Sequence, residues 1–169
     1  MAHENLKKIP CLSRMTTAEF SELVEILVPL SLQKGTVLFR EGDKNQDLYF
    51  VTAGKFSVTK SVEEIAKIQA PSIIGEMAFL IQQPRSATVT VTEDADLFRL
   101  KKEDFIKISR KNPAISMKIL EFFAQILSHR LYELDTKVCE IISKNSSHKP
   151  VALAELEAFR NKLTTQWSF

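Results

Sequence analysis

Apolar residues recur along this chain with two different periods, and the changes of period divide it into three zones. Over residues 1–29 the spacing is helical. Phe20, Leu23, Val24, Leu27 and Val28 fall on one face at a period of about 3.6, and Thr16 with Glu19 three residues later fits a capping box. Over residues 30–100 the pattern changes to short β-rich runs: Val37 to Phe39, Leu48 to Val51, Phe56 to Val58, Ile65 to Ile68, Ala87 to Val91 and Ala95 to Leu100. Turn residues separate them at Lys34-Gly35, Glu41-Gly42-Asp43, Ala53-Gly54 and Ala70-Pro71-Ser72. Many short strands at such spacing predict a barrel, sandwich or roll. From residue 101 the period is helical again. Lys101 to Lys111 predicts a short helix. Asn112 is a fitting N-cap with Pro113 at the first helical position, and the helix that follows runs to about Lys144 without an internal Gly or Pro. Residues 145–150 read as a linker and 151–163 as a short amphipathic helix.

Composition narrows the class. The chain has 169 residues, of which 44% are hydrophobic and 26% charged, the proportions of a folded globular protein. No apolar run approaches the roughly 20 residues of a membrane helix, and residues 1–10 lack the apolar stretch of a secretory signal. The 23 basic and 21 acidic residues nearly balance, which does not suit a general nucleic-acid binder. Cys11 and Cys139 are far apart in the chain, so a disulfide framework is not expected and a reduced cytoplasmic setting is. His3, His129 and His148 are scattered without zinc-ligand spacing. Nucleophile elbow, Cys-x-x-Cys pair and Walker loop are all missing, so an enzyme is not expected.

All four glycines lie in the β zone, at positions 35, 42, 54 and 75. The first three fit ordinary turns. Gly75 opens a different constellation: Ile73-Ile74-Gly75-Glu76-Met77-Ala78-Phe79-Leu80, then Pro84-Arg85-Ser86-Ala87-Thr88-Val89. A strand ends at Gly75, Glu76 to Leu80 can form one helical turn with free N–H groups at its start, and Pro84 closes a loop before the next strand. Arg85 offers a planar fork suited to two phosphate oxygens, and Glu76 an acceptor suited to a ribose hydroxyl. By spacing alone, a Glu and an Arg nine apart more often form a surface ion pair.

These residues resemble the cyclic nucleotide-binding domain shared by the bacterial catabolite activator and the regulatory subunits of cAMP-dependent protein kinase. The resemblance covers roughly residues 6–135, beginning at Leu6-Lys7-Lys8-Ile9-Pro10. It continues through Lys34 to Asp43, Leu48 to Val51 and Gly54, and peaks at Gly75-Glu76-Met77-Ala78 with Pro84-Arg85-Ser86-Ala87-Thr88-Val89. It implies an α+β fold, an eight-stranded, jelly-roll-like β-roll with flanking N-terminal helices and a long C-terminal helix. It also implies roles. Arg85 would bind an equatorial phosphate oxygen and Glu76 would accept from the 2′-hydroxyl. The N–H groups of Ala78 and Ala87 and the Ser86 hydroxyl would complete the phosphate shell, and Gly75 and Met77 would present main chain to the sugar. Val58, Ile65 and Ile74 would line an apolar wall, or serve as plain core. At the position of a base-covering residue stand Leu134 and Asp135, with Leu134 stacking on the base or packing in a helix seam. Three departures from the family pattern are a short hairpin between Val58 and Ile65, Pro71-Ser72 in place of a Gly-Asp turn, and Gln82-Gln83 where a glycine is frequent; none removes a ligand-contacting group. Ser86, where a threonine often accompanies cGMP preference, points to cAMP, with cGMP still open.

Domain limits expected from this reading are residues 1–112 for the β-roll and its helices, 113–145 for the long helix, and 146–169 for a linker, short helix and tail. In the long helix Met117, Ala124, Leu131 and Val138 fall at one heptad position, with Leu120, Leu127, Leu134 and Ile141 three residues later. Arg130 and Asp135 have the spacing of an interchain pair in a parallel dimer. A homodimer through residues 113–144 is therefore expected, against packing of the same face on the chain's own β-roll, for which Phe122, Phe123 and Ile142 widen the face. The stretch after Lys144 is too short for a winged helix-turn-helix module, so no DNA-binding domain is expected. The tail, with Trp167 and Phe169, would cap the pocket, meet a partner or fray. The resulting expectation is a stand-alone cyclic nucleotide sensor acting on an unidentified protein partner. The competing expectation is an adaptor that keeps the fold without ligand; a cupin-like enzyme fails for want of metal-ligand histidines.

Overall fold

The computed structural model describes residues 2–145, with side chains described over residues 4–140. Three short helices open the chain: α1 (Ala2–Leu6), α2 (Pro10–Ser13) and α3 (Thr17–Val24). Strands β1 (Val28–Leu32), β2 (Val37–Phe39), β3 (Leu48–Lys60), β4 (Glu63–Gln69) and β5 (Ser72–Ile74) follow. After them come α4 (Glu76–Ile81), β6 (Thr88–Leu100), α5 (Lys102–Lys111) and α6 (Pro113–Asn145). Contacts divide the chain into two compact units, Met1–Phe123 and Ala124–Phe169. The linker, short helix and aromatic tail expected after Asn145 lie outside the described residues, as does the side chain of Ile141.

The local signals work as read. Thr16 and Glu19 form the capping box of α3, with Glu19 N donating to Thr16 Oγ1 at 3.3 Å and Thr16 N to Glu19 Oε2 at 2.7 Å. Lys118 Nζ donates to the same Glu19 carboxylate at 2.6 Å, and together these bonds hold its pKa below the usual carboxylate value. Pro113 opens α6 as expected. Its first turns bury Ile115, Ile119 and Phe123 at successive i, i+4 positions.

Among the described residues the sheet has six strands, where the sequence reading expected eight. Every pairing is antiparallel, in the order β1-β6-β3-β4, with β2 on β6 and β5 on β3. Two pairs of expected strands are in fact single strands. β3 runs through the Ala53-Gly54 turn signal, and β6 runs through the polar stretch Thr92 to Asp94. The reason is a bulge. The β3–β6 register shifts between Val51 and Phe56, where Gly54 has a left-handed φ of 95°. A Cβ there would lie 2.6 Å from the Ala95 Cα, so only glycine lets the strands approach. β1 is a second correction, because it begins at Val28 inside the zone that reads as helical. Pairing with Leu97, Phe98 and Arg99 of β6 overrides the local period there.

The bulge also sorts the core. Ahead of it, Leu48 and Phe50 face the helices and pack with Leu6, Leu12, Leu23, Phe105 and Ile115. Tyr49 and Val51 face the opposite side of the sheet with Phe39, Ile74, Val89 and Leu97. Past the bulge Phe56 and Val58 join this second cluster, although they fall at the other parity of the chain. A one-residue slip turns side chains to the other face of a strand, and here it keeps apolar residues on the inner side along all of β3.

Candidate functional site

Gly75 stands at the N-cap of α4 with a φ of 97°. Glu76 and Ala78 behind it are buried, 5% and 4% exposed, while Met77 points outward at 43%. After α4 the chain loops through Pro84 to Arg85, whose main chain docks on the turn before β3. Arg85 N donates to Asp43 O at 2.8 Å, and Gly42 N donates to Arg85 O at 2.9 Å. This docking fixes the direction in which the Arg85 side chain leaves the backbone.

The guanidinium is buried, with Arg85 only 3% exposed. Its Nη1 donates to Gly75 O at 3.2 Å, and its Nη2 donates to Asn45 Oδ1 at 3.0 Å and to Asp47 O at 2.7 Å. The cation lies over the Phe39 ring, 4.0 Å from the centroid, and 5.7 Å from that of Tyr49. Its buried Nε has no hydrogen-bond partner. Burial pulls its pKa below the ordinary arginine value, opposed by Tyr49 and Asp47; the group remains a cation at any ordinary pH. Burial likewise raises the Tyr49 phenol. A buried cation with an unused donor favours an anion, because desolvating a charge without full compensation is costly.

The cassette residues expected from the sequence come together. Gly75, Glu76, Met77 and Ala78 form the first turn of α4, and Arg85 reaches back to Gly75. The Ser86 hydroxyl donates weakly to Met77 Sδ at 3.8 Å, and Ala87 is buried beside it in the chain. Of the expected wall residues, Ile74 is buried and Val58 half-buried in the inner cluster, whereas Ile65 on β4 is 56% exposed. Leu134 and Asp135 lie on the part of α6 in the second unit, and both are exposed.

Four residues around the guanidinium have no expected role in the sequence: Phe39, Asn45, Asp47 and Tyr49. Phe39 and Tyr49 read simply as strand residues. Asn45 and Asp47 sit in a polar loop, and their one signal is the short, turn-forming side chain two residues apart: Asp47 N donates to Asn45 Oδ1 at 2.7 Å. Among the described residues no cluster of His, Cys, Asp and Glu is placed to hold a metal ion, and no helix is long and apolar enough to cross a membrane.

Comparison with known proteins converges on this region. Residues 29–112 match the model of the cyclic nucleotide-binding domain. The cyclic AMP receptor protein of Thermus thermophilus is 29% identical over 135 residues, covering 77% of this chain and 60% of that protein. A cAMP-dependent protein kinase regulatory subunit of Hypocrea atroviridis is 30% identical over 107 residues, covering 63% of this chain and 23% of the relative. A crystal structure of a cyclic nucleotide-binding domain from Methylobacillus flagellatus matches with a TM-score of 0.69 at 26% identity, over 77% of this chain and 76% of that one. The chain thus spans less than two thirds of the length of either curated relative.

Proposed function

Through residues 29–112 this chain belongs to the cyclic nucleotide-binding domain family, and we propose that it is a cyclic nucleotide sensor with cAMP as its ligand. One observation carries the proposal: the guanidinium of Arg85, 3% exposed and with its Nε unpartnered, beside the glycine-opened first turn of α4. Arg85 meets the anionic phosphodiester. The N–H groups of Ala78 and Ala87 and the Ser86 hydroxyl complete the phosphate shell. The bond from Ser86 to the Met77 sulfur is weak and readily exchanged for one to an anionic oxygen. Buried Glu76 accepts from the ribose 2′-hydroxyl, with the main chain of Gly75 and Met77 along the sugar. Val58, Ile65 and Ile74 form the apolar wall.

Output runs through α6. Along it Met117, Leu120, Leu131 and Leu134 are 68%, 41%, 42% and 53% exposed, an apolar ladder at heptad spacing. We propose that this ladder joins two copies into a homodimer, and that nucleotide binding alters the helix and with it the surface offered to a protein partner. Titration calorimetry with cAMP and cGMP tests the sensor reading. Uptake of cAMP is expected; a folded chain that binds neither nucleotide is an adaptor retaining the fold alone.

A further inference from the structure

On the first turn of α4, Glu76 and Ala78 are buried while Met77 between them is 43% exposed. The Met77 thioether is not loose on the surface. Ser86, in the segment just ahead of β6, donates from its Oγ to Met77 Sδ at 3.8 Å. A hydroxyl of the proposed phosphate shell is thus paired with a sulfur that dissolved oxidants can reach. Of the other methionines, Met15 is half-buried against the helix-side core and Met117 on α6 is 68% exposed. Exposure alone therefore does not single out Met77; its contact with Ser86 does.

We propose that Met77 is a modification site, where a peroxide oxidises the sulfur and the sulfoxide then holds the Ser86 hydroxyl away from a bound anion. The effect on ligand rests on the cyclic nucleotide reading; the link between sulfur and hydroxyl does not. In the step itself a sulfur lone pair attacks one oxygen of hydrogen peroxide. The S–O bond forms as the O–O bond breaks, and the departing oxygen takes the proton of the transferred hydroxyl and leaves as water. The sulfur loses two electrons and the peroxide is reduced by two. Before the reaction the thioether is a weak acceptor, so the Ser86 hydroxyl turns readily to an anionic oxygen. Afterwards the same sulfur carries a polar oxygen that accepts strongly and competes for that hydroxyl. The negative end of the new dipole also stands beside the place of the phosphodiester. Both effects weaken binding. The fold tolerates the change, because a half-exposed side chain keeps its new polar group within reach of water.

Treating the full chain with hydrogen peroxide, then removing it, tests the proposal. Peptide mass spectrometry is expected to find one added oxygen on Met77. Calorimetry should then show cAMP affinity lowered by about five- to tenfold, the scale of one lost hydrogen bond. Met77→Leu is expected to remove the peroxide effect and Met117→Leu to keep it. In Ser86→Ala, peroxide changes affinity by less than about twofold, because the hydroxyl is already gone. Ser86→Thr, which keeps a hydroxyl, retains the response. Urea midpoints without ligand read the link by itself: oxidation should lower stability more in Ser86→Ala than in the wild type, since the sulfoxide then lacks that donor. An equal peroxide effect in wild type and Ser86→Ala overturns the proposal, as does a Met77 left unmodified under conditions that fully oxidise Met117. Where Ser86→Ala binds cAMP too weakly for calorimetry, the urea comparison decides. An untreated wild type that takes up no cAMP defeats the functional reading, and the urea comparison still decides the link between sulfur and hydroxyl.

Discussion

Arg85 Nη1 donates to the carbonyl oxygen of Gly75 at 3.2 Å, and the two residues share one small space. A Cβ on Gly75 would collide with that same Nη1 and lie 2.9 Å from the Asp47 carbonyl oxygen. Its φ of 97° is a conformation that L side chains rarely adopt. Gly75→Ala is therefore expected to cost about 1–3 kcal/mol of stability in strain, read by chemical denaturation. It should also weaken cAMP binding, since the methyl group displaces the guanidinium. Unchanged stability and affinity together would show that the arginine need not sit against Gly75.

Removing the cation tests the site most directly. Arg85→Ala is expected to abolish measurable cAMP binding in calorimetry, because each lost charge-assisted bond is worth about 1.5–3 kcal/mol. Glu76→Ala should weaken binding less, since a hydroxyl contact carries no opposite charge. Affinity near that of the wild type in Arg85→Ala would sink the assignment.

Ligand binding to the folded state alone must raise stability. At a cAMP concentration of about 100 times Kd the gain is about 2.7 kcal/mol, visible as a higher Tm. AMP should shift Tm far less, because its open dianionic phosphate lacks the ring geometry that the cradle around Arg85 fits. Equal shifts with AMP and cAMP would point to a different class of ligand.

The exposed ladder on α6 predicts assembly. Each Leu it buries contributes roughly 1.5–3 kcal/mol, enough for several positions to hold a dimer at micromolar concentration. Light scattering should report a dimer for the wild type and a monomer for Leu127→Lys, which sets two lysines against each other in an apolar seam. A wild type that stays monomeric at about 100 micromolar, with and without cAMP, would refute the seam, since a dimer with Kd in the micromolar range is populated there.

Alkaline titration has a definite sign. Burial pushes the Cys11 thiol from 9.0 up to about 12. Below the unfolded-state value both states carry the proton and the contribution is full. Between about pH 9 and 12 the unfolded chain loses its proton while the native one keeps it, so stability falls as pH rises through that window. Urea midpoints at pH 8 and 10.5 should show the fall, and Cys11→Ala should lessen it. At pH 8, iodoacetamide should modify exposed Cys139 in the native protein and leave buried Cys11 untouched.

Features written in neighbouring residues are legible in the amino-acid sequence alone. The capping box at Thr16 and Glu19, the start of α6 at Pro113, strand β2 and the glycine-opened turn at Gly75 each depend on a few consecutive side chains and their φ/ψ preferences. That Gly75 and Arg85 belong to one site is legible only through the resemblance of the cassette to its family, since their spacing alone does not distinguish it from a surface ion pair.

Tertiary structure decided what depends on partners distant in the chain. The turn signal at Gly54 became a bulge inside β3 because β6 lies alongside and pairs with the strand on both sides of it. Val28 became a strand residue because Arg99 was there to pair with it. Phe39, Asn45, Asp47 and Tyr49 acquired their place around Arg85 only once the loop before β3 folded against the segment after α4. Sequence by itself determines local conformational preference and the chemistry each side chain carries. Which preference survives, and which groups meet, is settled by burial and hydrogen bonding between segments far apart in the chain, whose combined free energy outweighs a local propensity of less than about 1 kcal/mol per residue.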